Sequence, residues 1–469
     1  MKVLKNVAYL VMAAMLSVSM WSCNNDPDPP YNGCDDDCQD ECCVDPPVEE
    51  LKVYMDWAAS FYIKEGDVLE FSPVVTPEEG VTFSWTINGT EIANTRELNH
   101  TVTETADFVL RFEATFGEQR EYRVADATVL FSGPFVPQPH SLKSVAFVSA
   151  ATVTMADIQW EQITHLVWSA AIVQNDGSVT FQGFNRADFS VRSLISTAHR
   201  NGVFVLLDVA GVHDPLQSGH LYGQRTFYTA IQSPANRAAI IEHVLARVDE
   251  YGFDGINVYF DRPSDGAFGN VAAVRAFADE IATAVPTASL VHTGQPFFLT
   301  MSLFPGWMRG EMVPVVGNPR FDWHNIFAFG IDDLTPNPHS SLWMATDNLE
   351  FWLNNGVDAN RLVLVAPAFG IDYNFPPGVE ITWGNSWQFF SWISFRAILE
   401  NHPNAHLSNH IGEVDSRYTG LFFDGFPAID DKADHVRAGG FAGMGIWKAD
   451  SDVTDQRSLL RRIRSELGN

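Results

Sequence analysis

The sequence predicts an α/β protein: a (β/α)8 barrel, preceded by a small all-β sandwich. Over residues 142–469, eight apolar runs alternate with amphipathic stretches, as a parallel sheet covered by helices requires. Over residues 51–133, short segments alternate apolar and polar side chains, with turn residues between them, as the strands of a sandwich do. Residues 134–141, which are rich in proline, are predicted to link the two domains.

The eight predicted barrel strands are VAFVSA, ITHLVWSAAIV, VFVLLDVAG, GINVYF, FFLTMSLF, NIFAFGI, RLVLVAPAFG and FAGMGIW. Each is apolar along its whole length, which indicates burial on both faces of a sheet. The functional residues of such a barrel are expected where the strands end, because the loops that follow the strands meet there.

The first 22 residues are predicted to be a cleaved signal peptide. Lys2 and Lys5 precede an apolar run that is too short for a membrane-spanning helix. Ser22 followed by Cys23 resembles the lipobox of bacterial lipoproteins, which implies that Cys23 is lipidated. An ordinary signal peptide followed by a chance cysteine is the alternative.

Residues 23–50 are acidic and proline-rich and contain no lysine or arginine. Such a segment cannot bury enough apolar surface to fold, so it is predicted to be an extended tether. Acidic residues soon after a lipidated cysteine resemble the surface-export signal of Bacteroidetes lipoproteins. This resemblance implies an exported protein, anchored by lipid to the outer membrane and exposed at the cell surface.

Four further cysteines, Cys34, Cys38, Cys42 and Cys43, all lie in the tether. Two local disulfides are the first expectation for an exported chain, and a metal clip is the alternative, although the spacing matches no familiar zinc pattern. We therefore expect no metal site and no cofactor. The net charge of −29 and the lack of a basic stripe argue against nucleic acid and anionic lipid surfaces as partners, which leaves membrane contact to the lipid anchor.

The predicted sandwich contains the run FSWTINGTEI and, further on, TADFVLRFEATFG. These stretches resemble immunoglobulin-like modules of the polycystic-kidney-disease type, with Trp85 as the central core aromatic. The resemblance implies a spacer or a weak carbohydrate binder. Because a fold alone does not give a function, a spacer is the simpler expectation.

The fourth predicted barrel strand runs from Asp254 to Asp261 as DGINVYFD. From Val145 to the end of the chain, the sequence resembles glycoside hydrolase family 18, the chitinases and endo-β-N-acetylglucosaminidases. That family carries Asp-Gly-x-Asp-x-Asp-x-Glu at this strand, and an aromatic floor at the position of Trp447. The resemblance implies a barrel that acts on N-acetylglucosamine-containing glycans.

Four positions of the family pattern are changed. Asn257 and Tyr259 stand where the family has aspartates, and Phe329 stands where it has the tyrosine that holds the acetamido oxygen. Asp261 replaces the proton-donating glutamate and is one methylene shorter, and a misplacement of roughly an ångström can cost on the order of a hundredfold in rate. On the third strand, Asp208 begins the stretch that represents the family's Ser-x-Gly-Gly.

Aromatic rings with polar groups between them are typical of sugar-binding surfaces, because pyranose faces are apolar and their edges carry hydroxyls. Each aromatic could instead pack in a core, and each acid could cap a helix or pair with an arginine. The candidate glycan-binding residues are Trp447, Tyr259, Asn257, Asp254, Phe329, Asp208, Asp332, Trp307, Tyr373 and Trp383, and Phe304, Phe375 and Trp387 are further aromatics at the strand ends.

Three functions remain open. The first is a cell-surface protein that captures oligosaccharides or the glycans of glycoproteins without cutting them, beside neighbouring glycan-uptake proteins. The second is an active glycosidase in which Asp261 is the acid and Asp208 or Asp332 orients the substrate. The third is an adhesion protein whose barrel only displays loops. The short stretch after strand seven predicts no additional α+β insertion there, and hence an open site.

Overall fold

The computed structural model describes residues 50–211, 226–260, 271–285, 297–303, 309–330, 335–382, 385–413 and 416–468. The predicted signal peptide, the lipidation site Cys23 and the four tether cysteines lie outside these residues. Within the described ranges, no helix is long and apolar enough to cross a membrane.

Eight parallel strands form a closed barrel, as predicted, because the first strand pairs with both the second and the last. All eight coincide with the apolar runs of the sequence. In chain order they are β10 (Lys143–Ser149), β11 (His165–Val173), β13 (Phe204–Ala210), β14 (Gly255–Phe260), β15 (Phe298–Leu303), β16 (Trp323–Phe327), β17 (Leu362–Pro367) and β22 (Gly443–Trp447). A short strand, β12 (Val179–Phe181), adds to β11 in antiparallel orientation.

Helices cover the outside of the barrel. Serine side chains begin several of them by accepting a backbone N–H of the first turn, as Ser190 accepts from Ser193 and Ser233 accepts from Asn236. The described helices are α1 (Val191–Arg200), α2 (Pro234–Tyr251), α3 (Val271–Ala284), α4 (Val313–Val316), α5 (Leu342–Asn354), α6 (Phe395–Asn401), α7 (Phe426–Gly439) and α8 (Leu459–Glu466).

The barrel interior is closed at its amino end by packed rings. His165 stacks on Phe204 with ring centroids 5.2 Å apart, and it meets Trp323 edge-on at 4.9 Å. Burial holds the pKa of His165 well below its usual value, so this imidazole is neutral and packs as an apolar ring. Ligand access is therefore left to the opposite end, where the strands finish.

The β-rich region before the barrel has its own core, built around Trp85 as predicted. The Trp85 ring lies 4.6 Å from that of Phe112 and 5.8 Å from that of Phe71. A five-stranded sheet of order β2-β9-β8-β5-β6 faces the pairs β3-β7 and β1-β4. The strands are β1 (Lys52–Tyr54), β2 (Ser60–Lys64), β3 (Val68–Phe71), β4 (Val74–Thr76), β5 (Thr82–Ile87), β6 (Thr90–Ala93), β7 (Leu98–Thr101), β8 (Phe108–Phe116) and β9 (Gln119–Leu130).

The sandwich is hydrogen-bonded directly to helix α1 of the barrel. Asp107 accepts the backbone N–H of Val129 at 2.9 Å and the Ser193 hydroxyl at 2.7 Å. Arg200 donates to the carbonyl oxygen of Val129 at 2.6 Å. The carboxylate of Asp107 therefore joins the last sandwich strand to the first barrel helix.

The expectation of no insertion after strand seven was wrong. Residues 369–423 form a four-stranded antiparallel sheet, of order β19-β18-β21-β20, together with helix α6. The strands are β18 (Phe369–Asn374), β19 (Phe390–Ser394), β20 (His410–Ile411) and β21 (Thr419–Phe423). Because these strands are short, the sheet fits into a stretch that was read as loop, and the argument for an open site no longer holds.

A buried ion pair fixes the end of this insertion. Lys432 of α7 donates to the Asp424 carboxylate, and at 2.7 Å to both the hydroxyl and the carbonyl oxygen of Ser340. Ser340 in turn donates to the carbonyl oxygen of Ala328 at 3.1 Å. The insertion, helix α7 and the chain that leaves strand β16 are thus joined behind the carboxyl end of the barrel.

Candidate functional site

The carboxyl ends of the barrel strands surround a mouth lined by aromatic rings. Side chains alternate between the inside and outside of a barrel strand, and Tyr259, Phe327 and Trp447 all face inward. Tyr259 lies 5.4 Å from Phe327, and Phe327 stacks on Phe329 at 5.3 Å, measured between ring centroids. Phe329 reaches Trp447 at 5.9 Å. The structure thus brings together three residues that the sequence predicted: Tyr259, Phe329 and Trp447.

The insertion extends this aromatic lining to one side. Phe369, at the start of β18, lies 5.8 Å from Trp447 and 4.6 Å from Trp392 of β19. Trp392 is only partly buried, so part of its ring remains accessible beside the mouth. Sequence reasoning missed Trp392. The alternation of Phe390, Trp392 and Ser394 in β19 is the signal that could have indicated a strand with one exposed face.

A fully paired polar network lies beneath the rings. Asp208 of β13 accepts the Ser169 hydroxyl at 2.9 Å and the Asn257 amide at 2.6 Å. The same Asn257 amide nitrogen donates to the Ser302 hydroxyl at 2.9 Å. Asp208 and Asn257 are direct neighbours in the β13–β14 register, which places the carboxyl and the amide side by side.

The carbonyl oxygen of Asn257 is held as firmly as its nitrogen. It accepts the hydroxyls of Thr300 at 2.7 Å and Ser302 at 3.2 Å, and the Asn325 amide at 3.1 Å. Trp323 donates its indole N–H to Asn325 at 3.0 Å. Donors surround the oxygen and acceptors surround the nitrogen, so the orientation of the Asn257 amide is fixed by its partners.

Burial raises the pKa of Asp208 from 3.8 to about 7, and the hydrogen bonds from Asn257 and Ser169 only partly oppose this. Asp208 is 2% exposed, so water contributes little to stabilising its charge. The group is therefore balanced near neutral pH between acid and carboxylate. Asp208 was predicted as a strand-end acid, and the structure places it below the aromatic rings with both oxygens bonded.

Asp254 lies at the other end of the barrel. Its Oδ2 atom accepts the backbone N–H of Val205 at 2.8 Å and lies 2.9 Å from His199 Nε2. Phe135 of the linker packs edge-on against His199 at 5.2 Å. Asp254 therefore joins the start of β14 to β13 and α1, and this placement gives it a structural role away from the mouth.

Tyr373 and Phe375 were expected in a loop at the mouth, but they lie within and just after strand β18. Both are buried, and Tyr373 packs against Phe375, Phe390 and Phe422. Their rings contribute to the core of the insertion. The remaining candidates lie outside the described part of the structure: Asp261, Asp332, Trp307, Trp383, Phe304 and the side chain of Trp387.

The described part of the mouth thus combines flat apolar rings with a hydrogen-bonded polar floor, in which Asp208 is the titratable group. Such a surface is suited to stacking against sugar rings, whose faces are apolar. Within the described ranges, no group of three histidine, cysteine, aspartate or glutamate side chains is arranged to hold a metal ion.

Comparison with known proteins gives three consistent matches. The sequence profile of glycosyl hydrolases family 18 matches residues 143–452. Chitinase 1 of Aphanocladium album is 21% identical over 362 residues, which cover 67% of this chain and 81% of that protein. The crystal structure of a chitinase from Bacteroides thetaiotaomicron is 21% identical, with a TM-score of 0.55, and the match covers 70% of this chain and 97% of that one.

A further solved structure is similar in the same region. The chitinase of this family from Cycas revoluta, in complex with (GlcNAc)3, is 16% identical with a TM-score of 0.55. The match covers 70% of this chain and 100% of that one. At these identities the solved structures establish the barrel fold.

The raised pKa of Asp208 predicts how stability depends on pH. Between pH 4 and 7 the folded state holds the Asp208 proton more tightly than the unfolded state, so the free energy of unfolding falls as pH rises through this window. Asp208→Asn removes this dependence, while its amide still accepts from Asn257 and donates to Ser169. The free energy of unfolding of the variant minus that of wild type should therefore rise by about 2 to 3 kcal/mol from pH 5 to pH 8. Chemical denaturation at each pH measures this difference.

The control is Asp188→Asn, because Asp188 is an exposed carboxyl paired with Arg186. Its stability should follow the wild-type pH profile above pH 5. If wild type and Asp208→Asn show parallel profiles from pH 5 to pH 8, Asp208 does not titrate in this range.

Proposed function

This chain belongs to the glycosyl hydrolases of family 18, and from that premise we propose that its barrel captures N-acetylglucosamine-containing or related glycans at its carboxyl-end mouth without cleaving them. The observation that carries the proposal is that three residues without a charged group, Asn257, Tyr259 and Phe329, occupy the positions where the family pattern has two carboxylates and a clamping hydroxyl.

These substitutions remove catalysis in specific ways. The family's reaction develops positive charge on the substrate's acetamido group, and a neutral phenol at Tyr259 cannot balance that charge as a carboxylate does. Asn257 cannot exchange a proton with a neighbouring acid. Phe329 has no hydroxyl with which to hold the acetamido oxygen. Together these three changes affect charge stabilisation, proton exchange and substrate orientation.

Binding is supported by what the mouth retains. Trp447 and Phe329 present rings at the base of the mouth, and Trp392 adds a partly accessible ring to one side. The related chitinase from Cycas revoluta forms a complex with (GlcNAc)3. An oligosaccharide of N-acetylglucosamine is therefore the first ligand to test.

An active glycosidase is the second candidate, and the pKa of Asp208 favours it. A carboxyl group with a pKa of about 7 inside a barrel has the proton affinity of a general acid or base. In this scheme Asp261, two residues after the inward-facing Tyr259, donates the proton, and Asp208 or Asp332 orients the substrate. Turnover that Asp261→Asn abolishes would establish this candidate.

A glycan array separates capture from cleavage. Residues 51–469 should bind a subset of arrayed chitooligosaccharides and glycoprotein glycans, and mass spectrometry after overnight incubation should find every bound glycan intact. Release of shortened products by the wild-type protein, with loss of release in Asp261→Asn, would replace capture by hydrolysis. Normal folding without binding to any glycan would favour an adhesion or display role.

Trp447 should contribute directly to glycan affinity. Trp447→Ala removes the ring at the end of β22. The dissociation constant for the preferred array ligand should rise tenfold or more, which corresponds to a loss of about 1.4 kcal/mol or more of binding free energy. Trp447→Phe should recover part of the affinity, because an aromatic face remains. The measurement is isothermal titration calorimetry.

The matched control is Trp343→Ala. Trp343 is 71% exposed in the first turn of α5 and is not part of the aromatic cluster of the mouth. Its removal should leave the dissociation constant within about twofold of wild type, within typical effects of surface substitutions. Equal losses in the Trp343 and Trp447 variants would mean that the glycan binds elsewhere on the barrel.

We also propose that the protein is anchored by lipid on the outer face of the outer membrane, beside other glycan-uptake proteins. Support comes from Lys2, Lys5 and Cys23 in the leader and from the acidic residues that follow. Cys23→Ala should abolish incorporation of labelled palmitate and release the protein from membranes, whereas Cys34→Ala should not. Protease treatment of intact cells should degrade the wild-type protein, and full protection would contradict surface exposure.

A further inference from the structure

A lysine directly follows the aromatic residue that ends the last barrel strand. Trp447 lies in register with Phe147 of β10 and Pro367 of β17, and its ring belongs to the inward-facing cluster of the mouth. The ammonium nitrogen of Lys448 is 5.2 Å from the centroid of that ring. An ammonium group this close to an inward-facing ring lies at the mouth, one residue beyond the end of the strand.

The backbone on both sides of Lys448 is fixed by hydrogen bonds. The carbonyl oxygen of Trp447 accepts the backbone N–H of Ala368 at 2.8 Å. Asp450 accepts the backbone N–H of Ser149 at 3.0 Å. These bonds hold the chain between the ends of β17 and β10. The lysine side chain itself has four flexible carbon atoms and an ammonium with three donors, so it can reach a ligand from a fixed point on the rim.

The charge of this ammonium group is not balanced by a neighbouring acid. In the described part of the chain, Lys448 forms no ion pair with an aspartate or a glutamate. Asp450, two residues further on, accepts the Thr152 hydroxyl at 2.8 Å and a backbone N–H. By contrast, the buried Lys432 is paired with Asp424. The Lys448 ammonium contacts an uncharged indole ring and keeps its positive charge at the mouth.

A sugar that stacks on Trp447 changes the surroundings of this ammonium group. The sugar and the ammonium approach the same indole ring, of which little is accessible, because Trp447 is 7% exposed. A cation–π contact at an accessible site is weak, and a flexible lysine can leave it. The ammonium is then free to reach the substituents of the bound sugar.

We infer that Lys448 selects glycans that carry a negative group, a carboxylate or a sulfate, on the sugar next to Trp447; this inference rests on the proposed capture of glycans at the mouth. An anionic substituent replaces the indole contact by a hydrogen bond in which both partners are charged. A neutral sugar removes the same contact and offers only hydroxyl or carbonyl oxygens in return. Lys448 thus favours anionic over neutral glycans, and specificity is the difference between the two affinities.

The test compares three ligands with one sugar skeleton: chitotetraose, chitotetraose sulfated at O6, and chitotetraose oxidised to the carboxylate at C6. Their affinities for residues 51–469, which form one compact unit, are measured by calorimetry at pH 6. At this pH Asp208, whose pKa burial raises to about 7, is mainly protonated and adds little repulsion. Wild type should bind at least one anionic form about tenfold more tightly than chitotetraose. The form with the larger gain identifies the negative group.

Two variants of Lys448 separate its charge from its bulk. In Lys448→Gln the preference for the anionic form should fall from about tenfold to about twofold or less. The affinity of this variant for neutral chitotetraose should rise about twofold, because no ammonium has to leave the indole ring. Lys448→Arg keeps the charge and should retain the anionic preference.

Lys64→Gln is the matched control. Lys64 is an exposed lysine on β2 of the sandwich, and its substitution changes the net charge of the protein by the same amount. This variant should keep the wild-type preference. Salt gives a second readout: raising sodium chloride from about 50 mM to about 500 mM should weaken the binding of the anionic form by wild type several-fold. The same change should have little effect on chitotetraose binding or on Lys448→Gln.

The outcomes separate this inference from the proposed function. Equal dissociation constants of wild type for chitotetraose and both anionic forms overturn the role of Lys448 and leave glycan capture intact. An anionic preference that persists in Lys448→Gln also overturns it, since another group would then recognise the negative charge. Folded protein that binds none of the three ligands contradicts both this inference and the proposed capture.

Discussion

In a closed barrel of parallel strands, every second side chain points into an interior that bulk water does not fill. The site depends on this burial. A polar group there must find its partners on neighbouring strands, because an unpaired buried polar group costs several kcal/mol. The bond between Asn257 and Asp208 meets this requirement across β13 and β14. Thr300, Ser302 and Asn325 extend the pairing across two more strands, so the floor of the mouth is as rigid as the barrel itself.

The barrel itself could be predicted because each of its strands is apolar on both faces and ends where a helix begins. The insertion could not, because strands of two to six residues give a weak periodic signal. Trp447, Tyr259 and Phe329 were found because the strand ends that carry them resemble the family pattern. The partners Ser169, Thr300, Ser302 and Asn325 were not found, since small polar residues within mainly apolar strands carry no signal of their own and only the register of a closed barrel brings them together.

Asp254 and Tyr373 show why a family position does not by itself give a residue its role. Asp254 keeps the family's residue type, yet it holds the start of a strand together with His199 and the Val205 N–H. Tyr373 has the residue type of a sugar-binding ring but is packed inside the insertion. Asp208 places a carboxyl group in the barrel interior on the third strand, whereas the aspartates of the family pattern are on the fourth. The chain thus has an acid in this layer, and the described side chains above it are mainly aromatic.

The bonds that hold the sandwich to helix α1 have a mechanical consequence. Asp107 accepts hydrogen bonds from Val129 and Ser193, and Arg200 donates to the carbonyl oxygen of Val129. These bonds join the last strand of the sandwich to the first helix of the barrel. A force that separates the two domains therefore has to break these side-chain bonds as well as extend the linker, so the contact between the sandwich and α1 resists mechanical separation together with the linker.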